Sequence, residues 1–469
     1  MPVDTSAAVV RAHVLTEWVP EDSAFWEAKG KRVAMRNLWI SMPALLLAFA
    51  VWMVWSVVVV NLPNIGFKFD TDQLFWLASM PGLAGATLRI FYSFMVPVFG
   101  GRAWTAFSTA SLLLPAIGIG MAVQDPSMPY WVFLGLALLC GFGGGNFASS
   151  MANISFFFPK SKKGMALGLN AGIGNLGVSV VQFVVPIVIA ASVFGSGAGG
   201  SQVWAKGAQT KEMWLQNAGF IWVPFILVCT IAAWFGMNDI ASAKASFKDQ
   251  AVIFKRKHNW VMCWLYLGTF GSFIGFSAGF PLLTKTQFPT INPLEYAFLG
   301  PLVGSLARVA GGFLADRFGG GRVTFWTFLL IMLAVSGVLY FLDHKADPSA
   351  FTGFLAMFLV LFAGTGIGNA STFQMIPVIF LALKRREAAG RYRAEPVVAQ
   401  EAAKEAAAVL GFSSAFAAYG AFFIPRSFGT SIALTGGAEA AFVMFILFYL
   451  TCLATTWWWY TRKNAEIKC

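Results

Sequence analysis

Twelve long apolar stretches constrain the fold of this chain more than any other feature of its sequence. Each could cross a bilayer as an α-helix, which rises about 1.5 Å per residue and needs about 20 apolar residues. Hydrophobic residues make up 58% of the chain and charged residues 12%, whereas soluble domains carry about 25% charged residues. We therefore predict an all-α polytopic membrane protein with twelve transmembrane helices. The predicted spans are 37–61, 73–99, 103–124, 130–158, 164–196, 218–236, 259–283, 293–315, 322–342, 351–383, 405–434 and 438–461.

The basic residues predict which way the chain is oriented. Twelve spans place both termini on one side of the membrane, and most Lys and Arg residues fall in the tails and in the loops on that side. Six fall on the opposite side: Lys68, Lys206, Lys211, Lys285, Lys345 and Arg426. Cytoplasmic loops carry the excess of positive charge, so we expect cytoplasmic termini and a place in a bacterial cytoplasmic (inner) membrane. The net charge of +12 thus reflects orientation in a lipid bilayer, and no nucleic-acid partner is expected.

The second half of the chain repeats the first. Residues 82–102 read GLAGATLRIFYSFMVPVFGGR, and residues 301–322 read PLVGSLARVAGGFLADRFGGGR, which places Arg89 and Arg308 at corresponding positions 219 residues apart. Further matches follow in the same order along the chain. We therefore predict two pseudo-symmetric six-helix halves, the major facilitator fold, with a binding site between them. The predicted segments are a tail (1–36) without an early apolar segment, a first half (37–236), a loop (237–258), a second half (259–461) and a tail (462–469).

The loop between spans 8 and 9 contains a recognisable charged motif. Asp316, Arg317 and Arg322 resemble the loop signature of the major facilitator superfamily. Pro97 occupies the position of Asp316 in the first half, so we expect a charged latch in the second half alone.

Arg89 and Arg308 are the strongest candidates for a functional site. An arginine near the middle of a span costs at least about 2.5 kcal/mol and by default indicates function. Each could pair with an acid of a neighbouring helix, but the acidic residues lie in tails, loops or span ends. We therefore expect a bound anion as their partner. A guanidinium is a planar fork of donors suited to a small flat oxyanion, and it stays charged at any relevant pH.

Glycines recur in spans 5 and 11. The recurring glycines are Gly164, Gly168, Gly172, Gly174 and Gly177 in span 5, and Gly411 and Gly420 in span 11. The four-residue spacing in span 5 predicts close approach of a neighbouring helix backbone. A dinucleotide-binding loop is excluded, because no strand precedes the glycines. The amides Asn170 and Asn175 could donate to an anion or bond across helices.

Aromatic side chains of the central spans are the remaining candidates. Phe49, Phe147, Tyr266 and Phe270 lie on spans predicted to line a central cavity, although the sequence alone favours core packing for each.

Taken together, these stretches resemble the nitrate/nitrite porter family (NarK/NarU type) of the major facilitator superfamily. The resemblance is densest in residues 36–41, 144–160, 168–180, 269–280 and 371–380. It implies that Arg89 and Arg308 bind the substrate and that Asn175 donates to the anion. It also implies that Tyr266 forms a hydrogen-bonding wall, that Phe147 and Phe270 stack or gate, and that Ser414 is a polar contact.

The expected function is nitrate/nitrite exchange by rocker-switch alternating access. Nitrate–proton symport is the alternative, but no Asp, Glu or His lies in the interior of a span to carry the proton. A membrane enzyme or cofactor-bearing subunit is disfavoured, because three histidines and five scattered cysteines offer no metal or haem site. We expect no enzymatic activity, no metal, no cofactor and a monomer.

Overall fold

The computed structural model describes residues 13–241, 243, 251–389 and 394–469. Within these ranges, twelve helices are long and apolar enough to cross a membrane. In chain order, α1 to α12 are Ser23–Ile65, Thr71–Tyr92, Gly101–Ala122, Tyr130–Phe157, Lys160–Val188, Asn217–Gly236, Lys257–Gln287, Pro293–Phe318, Gly320–Asp343, Ala350–Ala388, Glu395–Thr435 and Glu439–Thr461. The predicted all-α membrane fold is confirmed.

The first helix begins well before the predicted span at residue 37. Asp22 caps it, accepting hydrogen bonds from the backbone of Ala24 at 2.8 Å and Phe25 at 3.3 Å. Trp26 and Ala34 are buried in a small cluster with Phe157 and other residues. The helix therefore extends beyond the apolar segment and packs on the end of α4. Residues 1–12 of the predicted tail lie outside the described residues.

The helices α10 and α11 occupy most of the loop predicted between them, because an ion-pair cluster stabilises their ends. Glu405 accepts from Lys384 at 2.6 Å and from Arg256 at 3.0 Å, and Arg256 also pairs with Glu387. The carboxylates of Glu387 and Glu405 raise the pKa of Arg256 above its usual value. Residues 390–393 of that loop lie outside the described residues, as do 242 and 244–250 of the predicted loop 237–258.

Four short strands complete the fold of the described residues. They are β1 (Val14–Leu15), β2 (Gln202–Lys206), β3 (Gln209–Met213) and β4 (Asp239–Ile240). β1 pairs in parallel with β4, which ties the N-terminal tail to the segment after α6. β2 and β3 form an antiparallel hairpin on the side opposite the termini, in the loop between α5 and α6.

The loop between α2 and α3 corrects the prediction that the first half lacks a charged latch. Asp239, supplied from β4, accepts from the Arg102 backbone N–H at 2.8 Å and pairs with its side chain at 3.3 Å. The turn passes through Gly100, whose φ of +86° is left-handed and leaves no room for a side chain beside Asp239. A latch is therefore present, built from an acid that lies far away in sequence.

The glycines of α5 pack differently from the prediction of close contact. A β-carbon on Gly177 would lie 2.2 Å from the Leu46 carbonyl oxygen, so α1 and α5 touch there. Gly174 similarly packs on α1. By contrast, a β-carbon on Gly164, Gly168 or Gly172 would meet no atom within 4 Å, and the same is true of Gly411 in α11. The prediction of close backbone approach is wrong for these glycines in this conformation. In α11, Gly420 does contact a neighbouring backbone, that of Gly271 in α7.

Hydrogen bonds join the two halves on the side of the membrane opposite the termini. The bonds are Lys285 Nζ to Val60 O (2.5 Å), Arg426 Nη1 to Asp72 Oδ1 (2.6 Å), Gln182 Nε2 to Ser277 O (2.8 Å) and Ser179 Oγ to Phe298 O (2.9 Å). They close the interface between the halves on that side.

Candidate substrate site between the two halves

Arg89 lies fully buried in α2, at the interface between the halves. Its Nε donates to the Gly144 carbonyl in α4 at 3.0 Å, and its Nη1 donates to the Ser414 carbonyl in α11 at 3.1 Å. Gly144 belongs to the first half and Ser414 to the second. Nη2 is buried without an acceptor. The backbone of both halves thus holds the guanidinium and leaves one nitrogen free to bind a ligand.

Aromatic rings surround this guanidinium. Its central carbon lies 4.7 Å from the centre of the Phe147 ring, 5.3 Å from Trp52 and 5.5 Å from Phe270. Each such contact stabilises a cation by about 0.5–2 kcal/mol, the larger value applying where water is excluded. The indole N–H of Trp52 donates to the Pro81 carbonyl at 2.7 Å, which fixes that ring. The sequence analysis missed Trp52, because nothing in the sequence separates it from the other tryptophans of the spans.

A row of stacked rings crosses the site from one half to the other. Phe147 stacks on Phe270 with ring centres 6.3 Å apart, and Phe270 stacks on Tyr266 at 5.6 Å. A π-helical turn, Leu267–Gly271, begins directly after Tyr266, contains Phe270 and widens α7 locally. Tyr266 is near enough to both Arg89 and Arg308 to interact electrostatically with each.

Arg308 is the counterpart of Arg89 in α8. Its Nη1 is buried without an acceptor, and its guanidinium carbon lies 5.9 Å from the Phe373 ring of α10. No carboxylate in the described part of the chain lies within 4 Å of either guanidinium. The Ser305 hydroxyl, one turn before Arg308, is also buried without a partner. This side of the site therefore also keeps unused polar groups.

Asn175 of α5 is an unpaired amide. It is 1% exposed, and its Oδ1 has no hydrogen-bond partner. Asn170 also has a buried Oδ1 without a partner, but its amide nitrogen donates to the Ser150 hydroxyl at 2.8 Å, which ties α5 to α4. An amide buried without a partner is costly unless a ligand or water satisfies it.

Two residues that were predicted to belong to the site, Ser414 and Phe49, have other roles. The Ser414 hydroxyl donates to the Gly411 carbonyl of its own helix at 2.9 Å, so Ser414 contributes its backbone carbonyl to Arg89. Phe49 is 0% exposed and packs edge-on against Phe147, with ring centres 6.0 Å apart. It supports the Phe147 ring from behind, which agrees with the packing alternative.

The charged loop motif lies away from the arginines, at the termini side. Asp316 accepts a hydrogen bond from the Gln374 side chain of α10. Arg317 lies 5.3 Å from the Phe318 ring, and Arg322 is exposed. The motif thus joins α8 to α10 within the second half and takes no part in the site.

The fold and the site define a class of protein. The profile of the Major Facilitator Superfamily matches residues 44–394, and the chain belongs to that superfamily. The xylose transporter XylE from E. coli, in a partially occluded inward open conformation, has the same fold, with a TM-score of 0.62 at 11% identity over 91% of this chain and 99% of that chain.

Sequence relatives narrow the assignment. The chain is 52% identical over 458 residues to the nitrate/nitrite transporter NarU of Escherichia coli (strain K12), covering 97% of this chain and 98% of the relative. It is 44% identical over 461 residues to the probable nitrate/nitrite antiporter NarK2 of Thermus thermophilus, with the same coverage of 97% and 98%. Within the superfamily, the chain is a member of the nitrate/nitrite porter family of the NarK/NarU type.

Proposed function

We propose that this protein transports nitrate and nitrite and exchanges one for the other across a bacterial cytoplasmic membrane, acting as a monomer with both termini in the cytoplasm. One observation carries the proposal: Arg89 and Arg308 are charged groups at the interface between the halves, and each keeps a buried N–H without an acceptor. The names of the relatives, a nitrate/nitrite transporter and a probable nitrate/nitrite antiporter, support the choice of anion and of exchange.

The site suits a small planar monoanion. Nη2 of Arg89 and Nη1 of Arg308 supply donors. Asn175 would donate to the anion through its amide nitrogen, because its unpaired Oδ1 is an acceptor. The flat faces of Phe147 and Phe270 suit a planar ion better than a tetrahedral one. Two guanidiniums around one monoanion leave the loaded site with a net charge of about +1, so the ion is attracted to the site. The ion can still leave, because it is held by hydrogen bonds and charge and by no covalent bond. Sulfate should compete poorly with nitrite for uptake, and equal competition would exclude the planar clamp.

Exchange follows from the electrostatics of the empty site. Two buried cations without a counter-charge are costly once the cavity closes on both sides. A bound monoanion removes part of that cost, so the loaded protein passes between its two faces far more readily than the empty one. The structure is closed on the side opposite the termini, which corresponds to one end of an alternating-access cycle.

Uptake into proteoliposomes tests the proposal. Labelled nitrate is offered to vesicles that are empty or preloaded with nitrite, with and without a pH gradient. We expect uptake that requires internal nitrite and ignores the gradient. Uptake into empty vesicles driven by an acidic exterior would establish the alternative, nitrate–proton symport. It would also show that the unpaired arginines can reorient without an anion.

A further inference from the structure

A cavity lies on the face opposite the termini, outside the closed interface and separate from the central arginines. Its volume is about 1130 Å³, and it lies between the ends of α1, α5 and α7 and beneath the β2–β3 hairpin. Its lining includes Lys206, Lys211 and Lys285. These are three of the six basic residues that the sequence places on this side of the membrane, so positive charge is concentrated here.

Lys285 and Lys206 lack carboxylate partners. The Lys285 ammonium donates to the Val60 carbonyl at 2.5 Å and to Asn64 Oδ1 at 3.1 Å. The Lys206 ammonium donates to the Pro289 carbonyl at 2.5 Å. No carboxylate oxygen of the described residues lies within 4 Å of either ammonium, and the two repel one another. Within the described residues, each ammonium therefore has neutral acceptors only, and both lysines line the same cavity.

The two acids of the same cavity, Glu212 and Glu295, stay charged but pair with neither Lys206 nor Lys285 in the described part of the chain. Glu212 accepts from the Ser201 hydroxyl at 3.1 Å, and Glu295 accepts from the Asn292 amide at 3.0 Å. Neither neutralises the two lysines. A small anion between the ammoniums would remove their repulsion, which neutral carbonyl acceptors cannot do.

We propose that Lys206 and Lys285 form a second binding site, for small inorganic monoanions, at the outer mouth of the transport path. Binding at this site should also affect how readily the face opposite the termini opens. The bond from Lys285 to the Val60 carbonyl joins α7 to α1 across the two halves, and it has to break when this face opens. Lys285 uses two of its three N–H donors, and an anion bound by the third neutralises part of the charge that holds the carbonyl. Arrival of an anion thus weakens a contact that closes the face.

Bromide is a direct probe of this site, and its use does not depend on the transported substrate. Crystals of the full-length protein soaked in sodium bromide should show an anomalous peak within hydrogen-bond distance of the Lys285 and Lys206 nitrogens. The double variant Lys206→Gln/Lys285→Gln should lose that peak. Glutamine removes the charge and keeps an N–H donor, and an elution volume equal to that of the wild type would show that the fold is retained. Peaks at the central arginines alone would overturn the proposal.

Transport kinetics test the role of the site, and this part rests on the proposed function. In the double variant, the half-saturating external nitrate concentration should rise about fivefold or more at low ionic strength, with a smaller rise at high salt. The internal half-saturating nitrite concentration should not change. Lys68→Gln is the matched control, because Lys68 is an exposed lysine of the same face outside the cavity lining.

The two proposals fail in different ways. An equal rise in the Lys68→Gln control, or no rise in the double variant, would exclude a specific outer site. A wild-type protein that takes up no nitrate would overturn the proposed function, and the bromide peak would still decide the outer site.

Discussion

Replacement of Arg89 by lysine tests the central site. The guanidinium donates to the carbonyls of Gly144 and Ser414 and keeps Nη2 for a ligand. A lysine carries the same charge on one nitrogen and cannot hold both carbonyls and an anion in the same directions. A hydrogen bond to a charged group contributes about 1.5–3 kcal/mol. Loss of one contact to the anion and misplacement of the charge should therefore cost about 3 kcal/mol, roughly a hundredfold in affinity.

The assay for this variant is the external half-saturating nitrate concentration in nitrite-loaded proteoliposomes. Arg89→Lys should raise it roughly a hundredfold. Arg32→Lys is the matched control, since Arg32 is exposed near the start of α1, and it should behave as wild type. Equal yield and the same elution volume for the variant would show normal insertion. An Arg89→Lys protein within threefold of the wild-type value would refute the assignment of Arg89 to the site.

Three further predictions concern the fold and its dependence on pH. Gly177→Ala should lower the thermal midpoint by several degrees, because the new methyl group meets a backbone carbonyl at 2.2 Å, whereas Gly168→Ala, in open space, should not. Asp239→Ala should destabilise the protein by about 3 kcal/mol, since it leaves a buried arginine unpaired, and chemical denaturation measures this. A hydrogen bond from Lys257 lowers the pKa of Glu466 below its usual value. The stability from this contact is therefore fully present at pH values above the usual pKa and is lost as the pH falls through the lowered pKa. Glu466→Gln should remove this part of the pH dependence of the thermal midpoint.

The sequence predicted the spans and the two halves because both depend on long patterns. A run of about 20 apolar residues is visible without neighbours, and a repeat at an offset of 219 residues needs only the chain itself. The two arginines were found for the same reason, since a charge within an apolar run has no local explanation. Their acceptors were not predictable, because the carbonyls of Gly144 and Ser414 are backbone groups without a sequence signature.

The errors concern contacts between segments far apart in the chain. The latch of Asp239 on the turn before α3 depends on the segment after α6 folding back, which the local sequence does not encode. The spacing of Gly164, Gly168 and Gly172 is the same whether a helix packs there or the surface is open. Local patterns thus predicted the helices, and tertiary packing decided which faces of them are in contact.

The bond between Arg89 and Ser414 makes the two faces of the carrier chemically unequal. A guanidinium nitrogen that donates to α11 in this state is unavailable to an ion that enters now. When the halves separate on the opposite side, α11 shifts relative to α2, and we expect that donor to be released. An ion arriving from the side opposite the termini would then meet one more hydrogen-bond donor than an ion arriving from the side of the termini. Affinity would differ between the two compartments without any difference in the residues that line the path.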